Sequence, residues 1–292
     1  NPSEKPTPDA PSAPQLSSKS DTAVTLEQKS GYEYRVGSGR WQTSPVFTGL
    51  SPATTYVFYQ RIAATASSNA SPASAGLSVT TEKSTPQAAP QPVLKSVSDS
   101  TVTLQTVAGC EYRMKGGSWQ SSPEFTGLSP ATSYTFYQRY AATSQSYAGA
   151  SSGGLTVVTS KKATDAPEAP EAQEVYADCV VLKAVSGYEY RMEGGSWQSG
   201  VTFTGLSPAT TYVFYQRRAA TSTTLPSAES AGCRITTPKR SVSDPAAPVV
   251  RSKTSSSVTL VEIEGYEYRM GNGSWQTSPV FTGLSPATTY VF

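Results

Sequence analysis

One stretch of sequence is repeated along this chain of 292 residues: Phe47-Thr-Gly-Leu-Ser-Pro-Ala-Thr-Thr-Tyr-Val-Phe-Tyr-Gln-Arg61. Near-identical copies occupy residues 125–139 and 203–217, and its first twelve residues return at 281–292. The copies are evenly spaced, since 125 − 47, 203 − 125 and 281 − 203 all equal 78. A solenoid unit spans about 20–50 residues, so this longer period favours a chain of small, independently folded domains.

The same period divides the chain into four repeats. The predicted division is a linker at 1–13, repeat 1 at 14–81, repeat 2 at 92–159, repeat 3 at 170–237, and a fourth repeat at 248–292 that stops within its sixth strand. The segments between repeats contain Pro, Ala, Lys and Glu, which predicts semi-rigid, extended linkers and a monomeric string of modules. An incomplete fourth repeat would leave an open sheet edge, so we expect it to show the weakest hydrogen-exchange protection.

Short strands with alternating side chains are predicted throughout each repeat. In repeat 1 the pattern Ala-Val-Thr-Leu puts Val24 and Leu26 on one face, and Tyr32 and Tyr34 share the inward face of the following strand. Glycines after that strand predict a tight hairpin across residues 31–43. Seven such strands in about 70 residues favour an all-β fold, with a two-sheet antiparallel sandwich in each repeat.

Composition excludes several classes of function. The chain has no histidine, so catalysis by Ser-His-Asp or Cys-His groups is excluded. A net charge of +2 gives no strong field, and we expect no nucleic-acid partner. No apolar run is long enough for a membrane span. The sequence carries no phosphate loop, zinc pattern or calcium loop, so we expect no cofactor, no metal and no enzymatic activity.

The three cysteines do not follow the 78-residue period. Cys110, Cys179 and Cys233 each stand where the other repeats carry a different residue. A disulfide framework would recur with the domain, so we interpret them as sporadic substitutions. A bridge between Cys179 and Cys233 is the less favoured alternative.

The strongest family signal lies in the turn before the sixth strand, Leu50-Ser-Pro-Ala-Thr-Thr-Tyr56. It resembles the Leu-x-Pro-x-Thr-x-Tyr segment of fibronectin type III domains. That resemblance implies a tyrosine corner, in which the hydroxyl bonds to nearby backbone. The matching residues are Tyr56, Tyr134, Tyr212 and Tyr290. With its recurring Gly-Tyr-Glu-Tyr-Arg and Phe-Tyr-Gln-Arg, nearly the whole chain is similar to tandem type III-like repeats of Gram-positive surface and secreted proteins, which implies tandem immunoglobulin-like sandwiches.

Three features depart from the type III pattern. The tryptophan usual in the second strand is absent, and a tryptophan follows the hairpin turn instead. Gln60 falls where alternation requires an apolar residue, which predicts a bulge or a satisfied buried amide. No Arg-Gly-Asp triplet occurs, so integrin binding does not carry over.

One tryptophan, one tyrosine and one arginine in each complete repeat form the candidate binding surface. They are Trp41, Tyr59 and Arg61; Trp119, Tyr137 and Arg139; and Trp197, Tyr215 and Arg217. The tryptophans could stack on sugars, or pack in the core or at a sheet edge. The tyrosines and arginines could form a repeated ligand patch that gives avidity, or pair across strands with Glu33 and Arg35 and their equivalents. We favour the structural alternative for both groups.

The resemblance implies a non-catalytic, extracellular role. We expect a stalk or spacer of an adhesin-like protein on a bacterial cell surface, which presents a terminal domain away from the wall. Two alternatives stay open: repeated modules that bind a host or cell-wall glycan or protein, and an accessory segment of a secreted glycan-degrading enzyme.

Overall fold

The structure is a computed structural model that describes residues 4–292. These residues form 21 β-strands and no helix, so no helix among them could span a membrane. Six strands lie in repeat 1: β1 (Leu16–Lys19), β2 (Ala23–Leu26), β3 (Tyr32–Val36), β4 (Val46–Thr48), β5 (Thr55–Ile62) and β6 (Leu77–Thr80).

The later repeats carry the corresponding strands. Repeat 2 contains β7 (Leu94–Val97), β8 (Val102–Leu104), β9 (Cys110–Met114), β10 (Glu124–Phe125), β11 (Ser133–Tyr140) and β12 (Leu155–Val158). Repeat 3 contains β13 (Ala172–Val175), β14 (Cys179–Leu182), β15 (Tyr188–Met192), β16 (Thr202–Thr204), β17 (Thr211–Arg218) and β18 (Cys233–Thr236). The last strands are β19 (Val250–Lys253), β20 (Ser257–Leu260) and β21 (Val280–Thr282).

The strands pair in three-stranded antiparallel sheets with one recurring order. Repeat 1 has the sheets β1-β2-β4 and β3-β5-β6, and repeat 2 has β7-β8-β10 and β9-β11-β12. The orders β13-β14-β16, β15-β17-β18 and β19-β20-β21 continue the series. The second strand of the hairpin predicted at 31–43 is reduced to one bridge, in which Gln42 pairs with Tyr34 on the free side of β3. This bridge places residues 41 and 42 at the edge of the second sheet.

By its contacts the described chain divides into two compact units. The first holds residues up to 171 together with 183–201 and 213–233, and the second holds 172–182, 202–212 and 234–292. Repeats 1 and 2 therefore lie whole within the first unit.

The core of repeat 1 lies between its two sheets, as the alternation predicts. Its fully enclosed cluster combines residues of both sheets: Val24, Leu26, Tyr34, Phe47, Phe58 and Val79. The rings of Phe47 on β4 and Phe58 on β5 lie 5.0 Å apart between centroids and tilted, a favourable aromatic arrangement. Repeat 2 has the same core, in which Phe125 and Phe136 lie 4.7 Å apart. Both repeats are thus β-sandwiches.

The buried tyrosine of β3 keeps its hydroxyl bonded inside the sandwich. Tyr34 is fully buried, and its hydroxyl accepts a hydrogen bond from the Lys29 amide at 2.7 Å and donates to the Glu27 carbonyl at 3.1 Å. Tyr112, Tyr190 and Tyr268 make the same contact with the amide five residues before them. The Tyr34 side chain therefore fastens the loop after β2 to the core. Strand alternation alone predicts only that this side chain is buried.

The buried glutamine of β5 is half satisfied. Gln60 is fully buried, and its Nε2 donates to the Ser12 carbonyl at 2.8 Å. No group within residues 4–292 donates to its Oε1. The β3–β5 register runs unbroken through Tyr34 and Gln60, so the predicted buried amide is present and the bulge is not. Ser12 lies in the segment predicted as a linker, and this bond ties it to the sandwich.

The hairpin turn after β3 varies with the position of its glycine. In repeat 1 Gly37 has φ +54°, whereas in repeat 2 the residue with positive φ is Gly116, one place later in the turn. Repeat 4 follows repeat 1, with the positive φ at Gly271 and not within the following Asn272-Gly273 pair. The glycine that can adopt a left-handed conformation without steric cost decides the turn in each case.

All three cysteines are free thiols. Cys110 is buried in the core of repeat 2, and that burial raises the pKa of its thiol. The pKa of the Cys233 thiol is also raised, mainly by burial and to a lesser extent by the negative charge of Glu171. The structure thus agrees with the interpretation of sporadic substitutions.

Candidate functional site

The candidate residues lie on the outward face of the second sheet. On β3 and β5 the residues directly opposite each other are Glu33 with Arg61, and Arg35 with Tyr59. Because side chains alternate along a strand, this face is opposite to the one that carries Tyr34 into the core.

These side chains form a continuous stack across the sheet, which we call the arginine–aromatic ladder. Arg61 bonds to Glu33 at 2.7 Å, and its guanidinium lies 4.5 Å from the centre of the Trp41 ring. The guanidinium of Arg35 lies 4.6 Å from Trp41 and 5.3 Å from Tyr59. The order is therefore Glu33, Arg61, Trp41, Arg35, Tyr59. A positive guanidinium group is attracted to the electron-rich face of an aromatic ring. This attraction contributes about 0.5–1 kcal/mol per pair at exposed sites.

The ladder recurs in the next two repeats. In repeat 2 the guanidinium-to-ring distances are Arg139–Trp119 4.3 Å, Arg113–Trp119 4.5 Å and Arg113–Tyr137 5.5 Å. In repeat 3 they are Arg217–Trp197 4.3 Å, Arg191–Trp197 5.2 Å and Arg191–Tyr215 5.0 Å. Arg139 and Arg217 each bind the glutamate opposite them. The hypothesis of cross-strand pairing, Glu with Arg and Arg over Tyr, is confirmed.

The four tryptophans are surface residues. Trp41, Trp119 and Trp197 are half-buried, and Trp275 is 57% exposed. Placement in the core is therefore wrong, and packing at the sheet edge is right. The reason is the Gln42 bridge, which puts Trp41 beside the outer strand of the sheet, where arginines and not apolar side chains cover its ring.

The tyrosine of the ladder has a glycine against its ring. A Cβ added to Gly76, just before β6, would lie 2.5 Å from Val57 Cγ1 and 3.1 Å from Tyr59 Cε1. Gly154 and Gly232 meet Tyr137 and Tyr215 in the same way. The tyrosine ring thus packs between this glycine and the arginine of β3. This glycine is not among the residues predicted from the sequence, although it recurs at the 78-residue step.

Replacing Gly154 with alanine should destabilise repeat 2 by about 1–3 kcal/mol, because its Cβ would lie 2.8 Å from Thr135 Cγ2 and 3.0 Å from Tyr137 Cε1. Hydrogen exchange of the full chain in urea measures this loss. Gly153→Ala is the matched control, since its Cβ would meet nothing within 4 Å. Equal effects of the two alanines would contradict the contact.

The second set of predicted residues, the tyrosines of the turn, bond to the backbone five residues before them. In each repeat a serine amide donates to the tyrosine hydroxyl. The pairs are Ser51 to Tyr56 (2.9 Å), Ser129 to Tyr134 (2.9 Å), Ser207 to Tyr212 (2.8 Å) and Ser285 to Tyr290 (2.9 Å). At Tyr290 this donated bond lowers the pKa of the hydroxyl, because it favours the phenolate. Each bond closes the Ser-Pro-Ala-Thr turn, which is a structural task.

The turn also contains a residue in an uncommon backbone conformation. Ala53 has φ +46°, and Ala131, Ala209 and Ala287 have positive φ as well. A non-glycine residue in the left-handed region carries a steric cost of about 1–2 kcal/mol. In Ala53 this conformation accompanies a hydrogen bond from its amide to the carbonyl of Glu82, beyond the end of β6.

Within residues 4–292 no group of three or more Cys, Asp or Glu side chains is placed to hold a metal ion. In the ladder of repeat 1, Arg61 is paired with Glu33, whereas Arg35 contacts the rings of Trp41 and Tyr59 and its buried Nε has no hydrogen-bond partner among the described residues.

Comparison with known proteins gives one kind of match. No protein-family model matches this chain, and no curated protein shows significant similarity to it. Among solved structures, the crystal structure of the FN1–FN3 domains of chicken CNTN1 aligns with 80% of this chain and 100% of its own, at 15% sequence identity and a TM-score of 0.25. The strand pairing of the chain itself establishes the fold. The chain is a tandem of antiparallel β-sandwiches.

Proposed function

We propose that the chain is a non-catalytic spacer that holds a neighbouring domain away from a bacterial cell surface. One observation carries this proposal: the residues that recur at the 78-residue step are engaged in the fold of their own repeat. In repeat 1 these are Tyr34 and Phe58 in the core, Tyr56 in the turn and Trp41 in the ladder. The most direct effect of repeating a scaffold domain is to increase the length of the protein.

The ladder supports a spacer better than a binding array. A sugar that stacks on Trp41 needs access to a ring that two guanidinium groups already contact. Tyr59 lies between Arg35 and the backbone of Gly76. A stacking ligand would have to displace these contacts in every repeat, which makes the ladder a costly surface to bind.

The location of the spacer is part of the proposal. The resemblance of the repeat unit to type III-like repeats of Gram-positive surface proteins supports an extracellular position. Such a spacer needs no cofactor and no partner of its own, and we expect it to be monomeric.

Small-angle X-ray scattering of the chain tests the spacer. A compact domain of 292 residues has a radius of gyration of about 19 Å. A spacer should exceed this value clearly, and removal of residues 238–292 should shorten its maximum dimension by a module or less. A measured radius of gyration close to that of a compact domain would contradict the proposal.

A glycan array tests the competing hypothesis of a binding module. A spacer should give no hit in the native chain. A hit that Trp119→Ala and Tyr137→Ala both abolish, while repeat 2 stays folded by hydrogen exchange, would favour binding through the ladder instead.

A further inference from the structure

The segment between repeats 1 and 2 is bonded to repeat 1 at its first residue. The Glu82 amide donates to the Ser20 carbonyl at 2.9 Å, and the Glu82 carbonyl accepts from the Ala53 amide at 2.9 Å. Ser20 lies between β1 and β2, and Ala53 is the residue held at positive φ. The linker is thereby bonded to two separate turns of repeat 1.

Two residues later the same segment is bonded to repeat 2. The Ser84 amide donates to the Gln145 carbonyl at 3.0 Å, and the Ser84 carbonyl accepts from the Tyr147 amide at 2.9 Å, as in a parallel bridge. The intervening Lys83 extends its Nζ to the Thr143 carbonyl at 3.1 Å. All three contacts lie in the loop after β11.

The rest of the segment belongs to the sandwich of repeat 2. Ala89 is buried in its core, and the Pro90 carbonyl accepts a hydrogen bond from Gln138 Nε2 at 2.8 Å. Gln91 Nε2 donates to the Gly154 carbonyl at 2.6 Å. The linker predicted at 82–91 is therefore bonded to repeat 1 at Glu82 and to repeat 2 near both of its ends.

The junction between repeats 2 and 3 uses the same atoms 78 residues later. The Ser160 amide donates to Ser98 and its carbonyl accepts from Ala131, while Lys162 exchanges backbone bonds with the loop after β17. Lys161 Nζ donates to the Thr221 carbonyl at 2.8 Å. Before repeat 1, the Pro6 carbonyl accepts from the Asn69 amide, and proline lacks the amide for the second bond.

We infer that residues 82–84 form a docked joint that fixes the orientation of repeat 2 on repeat 1. Two anchors separated by a single residue leave only the torsions of Lys83 for relative rotation, and the side chain of Lys83 is itself bonded. This assigns a role to the loop after β11 and to its counterpart after β17: each binds the linker that precedes its own repeat. This inference concerns adjacent repeats alone and stands whether or not the chain serves as a spacer.

Pulsed electron–electron distance measurements on the full chain test the joint. Spin labels go on Ser17→Cys and Lys95→Cys, which are exposed and equivalent positions of repeats 1 and 2. The native cysteines are first replaced by residues that other repeats carry there: Cys110→Tyr, Cys179→Thr and Cys233→Leu. The joint predicts one narrow distance distribution. A distribution as broad as that of a flexible tether would overturn it.

Two variants test whether the hydrogen bonds of Lys83 and Ser84 fix the orientation of repeat 2 on repeat 1. Lys83→Ala with Ser84→Pro removes three donors that reach repeat 2, namely Lys83 Nζ and the amide and hydroxyl of Ser84. Two glycines inserted between residues 83 and 84 separate the anchors. Each change should broaden the distribution and shift its mean. The matched controls are Lys115→Ala and two glycines inserted after Lys115, on an exposed turn of repeat 2, which should leave the distribution narrow.

Hydrogen exchange of β3 and β9 verifies in every variant that both sandwiches stay folded. If the distribution stays narrow in both joint variants while the sandwiches are intact, other contacts set the orientation and the docked joint is refuted. A failed spacer is recognised separately, by a compact radius of gyration with a narrow distance distribution.

Discussion

Replacement of Phe136 with alanine should remove most of the stability of repeat 2. The ring is fully buried on β11 and packs on Phe125 at 4.7 Å between centroids. Truncation of a core phenylalanine costs about 3–5 kcal/mol, through lost burial and the cavity that remains. A module of this size has a total stability of only about 3–10 kcal/mol, since native domains hold roughly 0.05–0.15 kcal/mol per residue.

Hydrogen exchange with mass spectrometry resolves this loss by repeat. In the Phe136→Ala chain, the amides of β9 and β11 should lose their slow exchange, whereas those of β3 and β5 in repeat 1 should keep it. Val158→Ala is the control, because that side chain is 59% exposed on β12. Unchanged protection of β11 would show that the cluster between the sheets does not stabilise the repeat.

Replacement of Gln138 with glutamate should destabilise repeat 2 in a manner that depends on pH. The residue is buried, its Nε2 donates to the Pro90 carbonyl, and no group in the described chain donates to its Oε1. A carboxylate there would face a carbonyl oxygen without compensation, and an uncompensated buried charge costs about 3–5 kcal/mol. The neutral acid can still donate to Pro90, so burial should raise the pKa of the new side chain above its ordinary value.

The sign of the pH dependence follows from this raised pKa. Below the unfolded-state pKa of about 4.3 both states are protonated, and the variant should approach the native stability. As the pH rises, the unfolded chain ionises first, so the folded state loses stability until its own pKa is passed. Urea unfolding at about pH 4 and pH 7.5 measures the difference, with exposed Gln105→Glu as the control. Equal losses at the two pH values would contradict a buried carboxylate.

The candidate surface shows how sequence and structure divide the information. Alternation placed Glu33 and Arg35 on the outward face, and their recurrence marked them as a group. Strand pairing then showed that Glu33 meets Arg61 and that Arg35 meets Tyr59. The position of Trp41 could not be obtained in this way, because the segment that carries it pairs with β3 through a single bridge. The recurrence of the tryptophan therefore indicated a packing role, in the core or at a sheet edge, without deciding between the two.

The linkers show the same division at a larger scale. Proline and charged residues correctly indicate that residues 82–91 form no strand of the sandwich, apart from an isolated bridge at Ser84. They do not reveal that Ser84 bonds to a loop about 60 residues further along the chain. Nothing in the local sequence encodes a contact at that separation, because the receiving groups are backbone atoms that every residue possesses.

The sequence by itself determined the 78-residue period, the all-β sandwich class, the inward faces of the strands and the turn closed by Tyr56. These properties are local: side-chain alternation has a period of two, and turns depend on a few neighbouring residues. Only the tertiary structure showed which aromatic rings the arginines contact, why a side chain at position 76 would clash, and where the linkers bond to the repeats. Those outcomes depend on the register between strands far apart in the chain, and register is set when the two sheets close on their common core.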